Sequence, residues 1–539
     1  MNIRATRARV RSPHAPAVCA SILLIVWGAA ACRPLPKQQG RRILHIGTSH
    51  RILHPNVFSD YYLGILALVS NPPLMRMDSE GRIRGRLARN VEASPDRTEW
   101  RFRIRDDFFW SDGRPVTAED VRFSIELTGR YSPSEAWIRR SLVEARTQPG
   151  EWVVFRFREP KPHLDLEFCA YRILPRHIWK EFQDPRLFQS SGPLVGCGAF
   201  IIRSVDIAAG VVQFRRNPFW KGRPPFLDGF DVHLYHNTDV LALGLRRGEL
   251  DTVFLYAGSF PYPLLPGLKA GGFELLDSGG GGLIYLGINL DRPPGSIPLF
   301  RQALAFAIDY SELIRLDALG RASPPRRGFV PPGFPGYTPG EPLGFDPVRA
   351  ARLLERAGCR DRDGDGVREA PDGAPMRLEL IARRDYGRLA ELIKNQLSES
   401  GLNLLLRIVD TATWQSLKDR GAFHLSLSRT TPWGMRMHAG WGSGYFDYRR
   451  SGAGVIGTIK DPEFLSLCDR LQRTVQPGEI EKLAGRMQEY YARTLPALAL
   501  YEPDIILPVP RSWTGWLINP LNGFYNMETF LNLRRAGVQ

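Results

Sequence analysis

The stretch that decides the fold runs from Leu87 to Glu126 and reads LARNVEASPDRTEWRFRIRDDFFWSDGRPVTAEDVRFSIE. Within it, Trp100, Phe102 and Ile104 alternate with arginines, which is typical of a β-strand with one buried face. The turn residues at 94–96, Ser-Pro-Asp, precede that strand. The stretch therefore begins with a turn and a half-buried strand.

A helix follows the strand. Thr117 has the character of an N-cap residue, and Asp120 stands at the third helical position, where its carboxylate can reach back to the cap. Val121 and Ile125 then recur at helical spacing. The stretch thus predicts a strand and a helix joined by an acidic turn at Asp112 and Gly113.

The later half of the chain continues this alternation of strands and helices. The predicted elements are a helix from Asp346 to Gly358, a strand at 376–381, a helix along Leu389–Leu397 that stops at Gly401, and strands at 404–409 and 423–427. Such alternation predicts an α/β protein with mixed sheets and helices on their faces. No fixed-period repeat is present, which argues against a solenoid.

Length and composition indicate which class of protein this chain belongs to. A chain of 539 residues is long enough for two or three domains. Apolar residues make up 43% and charged residues 24%, which is ordinary for a globular protein and argues against disorder. The formal net charge is +16, but the basic residues are scattered and no nucleic-acid-binding module is visible. We therefore expect no nucleic-acid partner.

The N-terminus carries export signals. Four arginines lie within the first eleven residues, an apolar run follows over 15–31, and Gly28 to Ala31 are small residues that lead directly to Cys32. This arrangement resembles a bacterial lipoprotein signal, in which the cysteine receives a lipid, although Ala29 replaces the usual larger aliphatic residue. We predict a signal peptide over 1–31 and lipidation of Cys32; simple cleavage or an uncleaved anchor are the alternatives. No other apolar stretch of the sequence is long enough to span a bilayer.

Besides Cys19 and Cys32, the sequence has four cysteines, at 169, 197, 359 and 468, and these allow two interpretations. Outside the cytoplasm, pairs such as Cys169 with Cys197 could form disulfides. Four free, buried thiols are the alternative, and the spacing fits no metal site.

Other motifs are incomplete. The loop 361–366, DRDGDG, begins like a calcium loop but has Asp372 rather than Glu at the twelfth position, so a surface turn is favoured. The glycine run 279–282 is not followed by Gly-Lys-Ser/Thr and is interpreted as a connector. Because neither His-Glu-x-x-His nor Gly-x-Ser-x-Gly occurs, a secreted hydrolase is the less favoured alternative from another functional class.

Several segments, in their order along the chain, resemble the peptide/nickel family (family 5) of extracytoplasmic solute-binding proteins of ABC transporters. They are Leu87–Glu126; Gly198-Ala199-Phe200 followed by RNPFW at 216–220; the strand 285–289 followed by PLFRQALAFAIDYSELI at 298–314; the helix at Asp346 with its DRDGDG loop; and Leu500-Tyr501-Glu502-Pro503. The resemblance covers essentially the whole chain after the export segment.

The resemblance implies an α/β, two-lobed periplasmic-binding-protein fold (type II, cluster C-like) with an extra inserted domain. The expected divisions are a signal peptide at 1–31, lobe I at 32–75, the inserted domain at 76–195, lobe I again at 196–280, lobe II at 281–498 and lobe I at 499–539. It further implies a monomer, lipid-anchored in the periplasm or at the cell surface, that closes around a ligand and delivers it to ABC permease subunits. Neither catalysis nor a cofactor is expected.

The loop from Arg429 to Arg450, RTTPWGMRMHAGWGSGYFDYRR, is where this family commonly recognises its ligand. Peptide binders often carry Gly-Trp, two residues and then Asp-Tyr-Pro-Asp; the match at Gly440 and Trp441 places Gly444 where the first carboxylate belongs. The nickel-binding branch instead has Arg-Thr-Trp-Gly, which resembles Arg429 to Gly434 with two extra residues. An oligopeptide or peptide-like ligand is the first expectation and a nickel or other metal chelate the alternative.

The candidate ligand-binding residues differ in what they offer. Aromatic rings provide flat apolar walls, arginines provide forked donors for an anionic group, and one carboxylate could pair with an amine. The aromatic candidates are Trp433, Trp441 and Tyr445; the arginines are Arg429 and Arg436; the carboxylate is Asp447; and His438 is a possible chelate contact. Family analogy adds Arg140, expected in a loop facing the cleft.

Overall fold

The computed structural model describes residues 42–132, 135–189, 193–256, 258–277, 282–325, 344–430, 446–449, 456–519 and 522–537. None of the helices formed by these residues is long and apolar enough to cross a membrane.

The strands and helices are numbered here in chain order. The strands are β1 Ile43–Thr48, β2 Met75–Met77, β3 Ile83–Gly85, β4 Ala88–Ala93, β5 Glu99–Ile104, β6 Leu142–Gln148, β7 Trp152–Phe157, β8 Phe200–Asp206, β9 Val211–Arg216, β10 Gly229–Leu234, β11 Thr252–Val253, β12 Phe273–Asp277, β13 Ile284–Ile288, β14 Ala322–Ser323, β15 Leu378–Arg383, β16 Leu404–Val409, β17 Leu425–Arg429, β18 Ala497–Pro503, β19 Ile506–Pro510, β20 Trp513–Thr514 and β21 Arg534–Arg535. The α-helices are α1 Tyr61–Leu66, α2 Ala118–Tyr131, α3 Ala136–Ser141, α4 Leu164–Glu167, α5 Arg176–Trp179, α6 Thr238–Arg246, α7 Leu265–Ala270, α8 Pro298–Ala307, α9 Tyr310–Leu316, α10 Pro347–Arg356, α11 Gly387–Ser398, α12 Thr411–Asp419, α13 Pro462–Arg473, α14 Pro477–Thr494 and α15 Met527–Asn532.

A five-stranded sheet, sheet A, has the order β11-β1-β10-β9-β8. Its strand β1 pairs in parallel with both β10 and β11, whereas β9 runs antiparallel to β10 and β8. Leu44 and Ile46 on β1, and Phe230 and Val232 on β10, are fully buried in one hydrophobic core. Since alternate side chains of a strand point to opposite faces, these four residues fix the buried face of the sheet.

A four-stranded antiparallel sheet, sheet B, has the order β4-β5-β7-β6 and contains the stretch that opened the sequence analysis. Trp100, Phe102 and Ile104 are buried on β5, as their alternation predicted. The predicted helix start is also confirmed: Thr117 and Asp120 form a reciprocal capping box at the beginning of α2. Local signals therefore determine this part of the fold.

A six-stranded sheet, sheet C, has the order β14-β18-β13-β17-β15-β16. Its strand β15 is parallel to β16 and β17, and β13 is antiparallel to β17 and β18. The strand predicted at 404–409 coincides with β16, but the one predicted at 376–381 begins two residues late, at Leu378. The reason is the ladder register, because pairing with β16 begins at Leu378 and Leu404.

The chain passes from sheet A to sheet C after β12 and comes back from β18 to β19; β12 and β19 pair with each other. The second passage consists of only Asp504 and Ile505, between the ends of β18 and β19. The hydroxyl of Thr252 on β11 donates to the Pro508 carbonyl at 2.7 Å, which holds β19 against sheet A. The domain boundary predicted at 498/499 falls inside β18, and the boundaries as a set remain predictions.

The structure decides between a disulfide and buried thiols for the cysteines, and it shows the conformation of the aspartate-rich loop. Cys169, Cys197 and Cys359 are free thiols, and they and Cys468 are all buried, so the buried-thiol interpretation applies and the Cys169–Cys197 disulfide is not formed. In the loop 361–366, the Asp361 carboxylate accepts from the backbone N–H groups of Gly364 and Gly366, as in a surface turn. The carboxylates of this loop are exposed.

Candidate binding site between the lobes

The candidate site lies where the parallel strands of sheets A and C end. His50 follows β1 by two residues and Tyr256 follows β11 by three, at the carboxyl edge of sheet A. Arg383 and Arg429 are the last residues of β15 and β17, at the carboxyl edge of sheet C. Ligands of open parallel sheets bind outside this edge, so both sheets present their binding edge to the same space.

Sheet A contributes an aromatic group made of His50, Tyr61, Tyr62 and Tyr256. The His50 ring stacks on Tyr62 with ring centres 4.2 Å apart, and Tyr61 meets Tyr62 and Tyr256 edge to face at 5.4 and 6.0 Å. The helix α1 presents the two adjacent tyrosines while burying Leu63. Asp60 caps this helix by accepting from the Leu63 N–H. The result is a wall of flat rings, with Tyr61 55% exposed.

Sheet C contributes two guanidinium groups. Arg383 donates to the Tyr386 hydroxyl at 3.1 Å, and its guanidinium lies over the Trp414 ring at 5.6 Å. Arg429 donates through Nη2 to the Tyr256 carbonyl at 3.2 Å. Because Tyr256 belongs to the edge of sheet A, this hydrogen bond joins the two lobes across the site.

The electrostatics of the site follow from burial next to these arginines. Burial, and then the Arg429 guanidinium, lower the pKa of His50 from its ordinary 6.5 to about 4. Its Nε2 accepts from the Tyr256 N–H at 2.7 Å, which requires an imidazole without a proton on that nitrogen. Burial raises the pKa of Tyr62, and Arg429 and Arg383 act in the opposite direction. A neutral His50 and a protonated Tyr62 thus face the guanidinium groups of Arg429 and Arg383, of which Arg383 pairs with the Asp385 carboxylate at 3.3 Å.

Among the residues predicted from the sequence, Arg429 is placed at this site. Trp433, Arg436, His438, Trp441 and Tyr445 lie outside the described residues, as does Cys32. Arg140 is exposed in the last turn of α3, a helix rather than the loop that was expected.

Asp447 was predicted to pair with an amine of the ligand, but in the structure its carboxylate pairs with an arginine of the protein. Its side chain is fully buried and forms an ion pair with Arg449, whose Nη2 lies 2.8 Å from Oδ2. Arg449 also contacts Asp469 at 2.8 Å. An amine would therefore have to compete with Arg449 for this carboxylate.

His50, Tyr62, Tyr256, Arg383 and Tyr386 were not identified from the sequence. One signal could have pointed to Arg383 and Tyr386, because both come shortly after the strand that was expected at 376–381. Nothing in the sequence, however, indicated which strand ends face each other.

The chain is similar in sequence to a protein family and to individual relatives. Residues 82–451 match the model of the bacterial extracellular solute-binding proteins, family 5, middle region. A putative ABC transporter peptide-binding protein of Brucella ovis is 24% identical over 358 residues, and the match covers 64% of this chain and 64% of that relative. The chain thus spans less than two thirds of the length of this relative.

Two solved structures share the fold. The periplasmic oligopeptide-binding protein of an oligopeptide ABC transporter from Thermotoga maritima superposes with a TM-score of 0.80 at 22% identity, covering 92% of this chain and 100% of that chain. NikZ from Campylobacter jejuni, solved with Ni(L-His), gives 0.76 at 17% identity, covering 92% and 100%. At such identities the likeness concerns the fold, and it confirms the predicted α/β fold of two lobes with an inserted domain.

Proposed function

The chain belongs to family 5 of the bacterial extracellular solute-binding proteins, and we propose that it closes its two lobes around a peptide or peptide-like solute and delivers that solute to the permease of an ABC importer. The observation that carries the proposal is the hydrogen bond from Arg429 to the Tyr256 carbonyl, which joins the carboxyl edges of sheets A and C. In this function the protein binds reversibly and performs no covalent chemistry.

The connection between the lobes supports opening and closing. Two passages of chain join sheets A and C, and the second is two residues long. Asp504, the first residue of this passage, forms hydrogen bonds through both of its backbone polar groups. Its N–H donates to the Arg321 carbonyl at 3.1 Å, and its carbonyl accepts from the Tyr262 hydroxyl at 2.6 Å. Hinge closure in two-lobed proteins is commonly absorbed by such short segments.

The chemistry of the site favours a ligand with an anionic group and a flat or apolar part. Arg429 brings a positive charge to the site, and Arg383 donates through Nε and Nη2 to the Asp385 carboxylate at 3.3 and 3.4 Å, an arrangement with which a ligand carboxylate would compete. The rings of His50, Tyr61 and Tyr62 supply apolar faces. A carboxylate is present in a peptide and equally in a carboxylate chelator of a metal. A nickel or other metal chelate is therefore the alternative ligand, with Trp433 and His438 as the further contacts predicted from the sequence.

We also propose the cellular setting that the N-terminal sequence predicts. Removal of residues 1–31 would leave Cys32 as the first residue, lipidated and holding the protein at a membrane outside the cytoplasm. The mature chain would then act as a monomer, with the inserted domain at 76–195 and the lobes divided as predicted.

The test begins with native mass spectrometry of protein purified from an exporting bacterial host, because a closed binding protein retains its solute. Bound masses that fragment into amino acids would support the peptide function, and a mass with a nickel isotope pattern would support the chelate alternative. Calorimetry with a tripeptide-to-pentapeptide mixture and with Ni²⁺–histidine follows.

The variant for this test is Arg429→Gln. A charge-assisted hydrogen bond contributes about 1.5–3 kcal/mol, so we expect at least about a tenfold loss of affinity for the ligand that binds. Arg352→Gln, which alters an exposed arginine on α10, is the matched control and should bind like the unmodified protein. Equal affinity in both variants would remove Arg429 from the site.

A further inference from the structure

A second cluster of polar side chains lies within sheet A. His45 on β1 is the register partner of Asp231 on β10, and His233 follows Asp231 by two residues on the same strand. Alternate residues share a face, so all three side chains lie on the face opposite to that of the buried Leu44 and Val232. Two histidines and a carboxylate from adjacent parallel strands thus converge on one point.

The separations are close to those of metal ligands. The Nδ1 of His45 and the Nε2 of His233 share a hydrogen bond at 3.0 Å, so binding of an ion to both nitrogens requires the shared proton to move to the other nitrogen of its own ring. One ligand atom from each of the three residues lies within 4.8 Å of the others. Two imidazole nitrogens bound tetrahedrally to one Zn²⁺ at about 2.05 Å would stand roughly 3.3 Å apart. A shift of a few tenths of an ångström would therefore admit an ion between the rings.

An arginine orients the carboxylate of this cluster. Arg215 faces the Asp231 carboxylate, with Nη1 at 2.5 Å from Oδ1 and Nη2 at 3.5 Å from Oδ2. The guanidinium therefore holds mainly Oδ1, and Oδ2 is the oxygen that can turn to an ion.

We propose that His45, Asp231 and His233 bind one divalent transition-metal ion, of the Zn²⁺ or Ni²⁺ class, at a site separate from the solute cleft. Imidazole and carboxylate ligands suit these ions. Both histidines are partly exposed, so a fourth position is open to water. The ion would tie β1 to β10, whose ligands are 188 residues apart in the chain, and so stabilise the lobe formed on sheet A.

The experiment titrates untagged protein with Co²⁺, followed by its visible absorption, and then displaces the Co²⁺ with Zn²⁺. We expect one ion per chain with an absorption band of tetrahedral type. His45→Gln and His233→Gln should each weaken binding at least about tenfold, since even the loss of an outer-shell partner of a metal ligand costs that much. His236→Gln, an exposed histidine three residues beyond His233, is the matched control and should bind normally.

Absence of bound ion, or binding unchanged in both variants, would overturn the proposal. If a variant fails to fold, X-ray absorption of the Zn²⁺-loaded unmodified protein decides the question: two imidazoles per zinc are expected, and any other number contradicts the site. Arg429→Gln should keep full metal binding here, which separates failure of this proposal from failure of the solute cleft.

Discussion

Protonation of His50 should destabilise the protein in a defined pH range. The pKa of His50 is about 4 in the folded protein and 6.5 ordinarily. An unfolded chain therefore takes up this proton first, and the free energy of unfolding falls as the pH decreases from about 6.5 to about 4. Each pKa unit corresponds to about 1.4 kcal/mol, so the full loss from this residue is about 3 kcal/mol, reached below pH 4.

The structural cause is the acceptor role of His50. Its Nε2 accepts from the Tyr256 N–H at 2.7 Å, and a proton on that nitrogen removes the hydrogen bond while adding a second positive charge near Arg429. Since the Tyr256 carbonyl accepts from Arg429, acidification should also loosen the contact between the lobes.

Urea denaturation of the unmodified protein and of His50→Gln, at about pH 7 and about pH 4, measures this effect. Glutamine does not titrate, so the stability difference between the two proteins should change by about 3 kcal/mol across the range. His233, whose pKa is also lowered, titrates in both proteins and cancels from the difference. His236→Gln should show no such change, and a difference for His50→Gln that stays constant with pH would refute the reasoning.

Three further predictions concern single residues. Trp433→Ala should weaken solute binding by about 1–3 kcal/mol in calorimetry if the ring is a buried contact; unchanged affinity would take it out of the site. Cys32→Ala should move the protein from the membrane fraction to the soluble fraction without changing its melting temperature, whereas complete retention on membranes would contradict lipidation. Asp447→Ala should lower the free energy of unfolding by about 1.5 kcal/mol in urea, because it removes hydrogen bonds to a fully buried carboxylate while the partly exposed Arg449 keeps its contact with Asp469, and a change below about 0.5 kcal/mol would show that the ion pair contributes little.

Much of the local structure was predictable from the sequence. The alternation on β5 and the capping box of Thr117 and Asp120 depend on residues at most four positions apart, so a linear pattern records them completely. The start of β15 was missed by two residues because its register depends on Leu404, far along the chain.

The site was only partly predictable, because it is assembled from distant segments. Arg429 was predicted as a ligand contact through its family loop, but its hydrogen-bond acceptor, the Tyr256 carbonyl, is 173 residues away and was not foreseen. The strand order of sheet C brings β13 between β17 and β18, and such crossovers leave no periodic signal. Asp447 had a local clue, since Arg449 stands only two residues on and its Nε donates to the Asp447 carboxylate at 3.0 Å.

The two-residue passage between β18 and β19 limits how the lobes can reorient. Peptide planes are rigid, so Asp504 and Ile505 supply only four backbone torsions on this side of the molecule. Pro503, directly before the passage, has its own φ fixed by its ring, and Thr252 anchors the carbonyl of Pro508, the third residue of β19. The passage thus has few rotatable bonds, and a change in the relative orientation of sheets A and C must be absorbed on this side of the molecule by those four torsions.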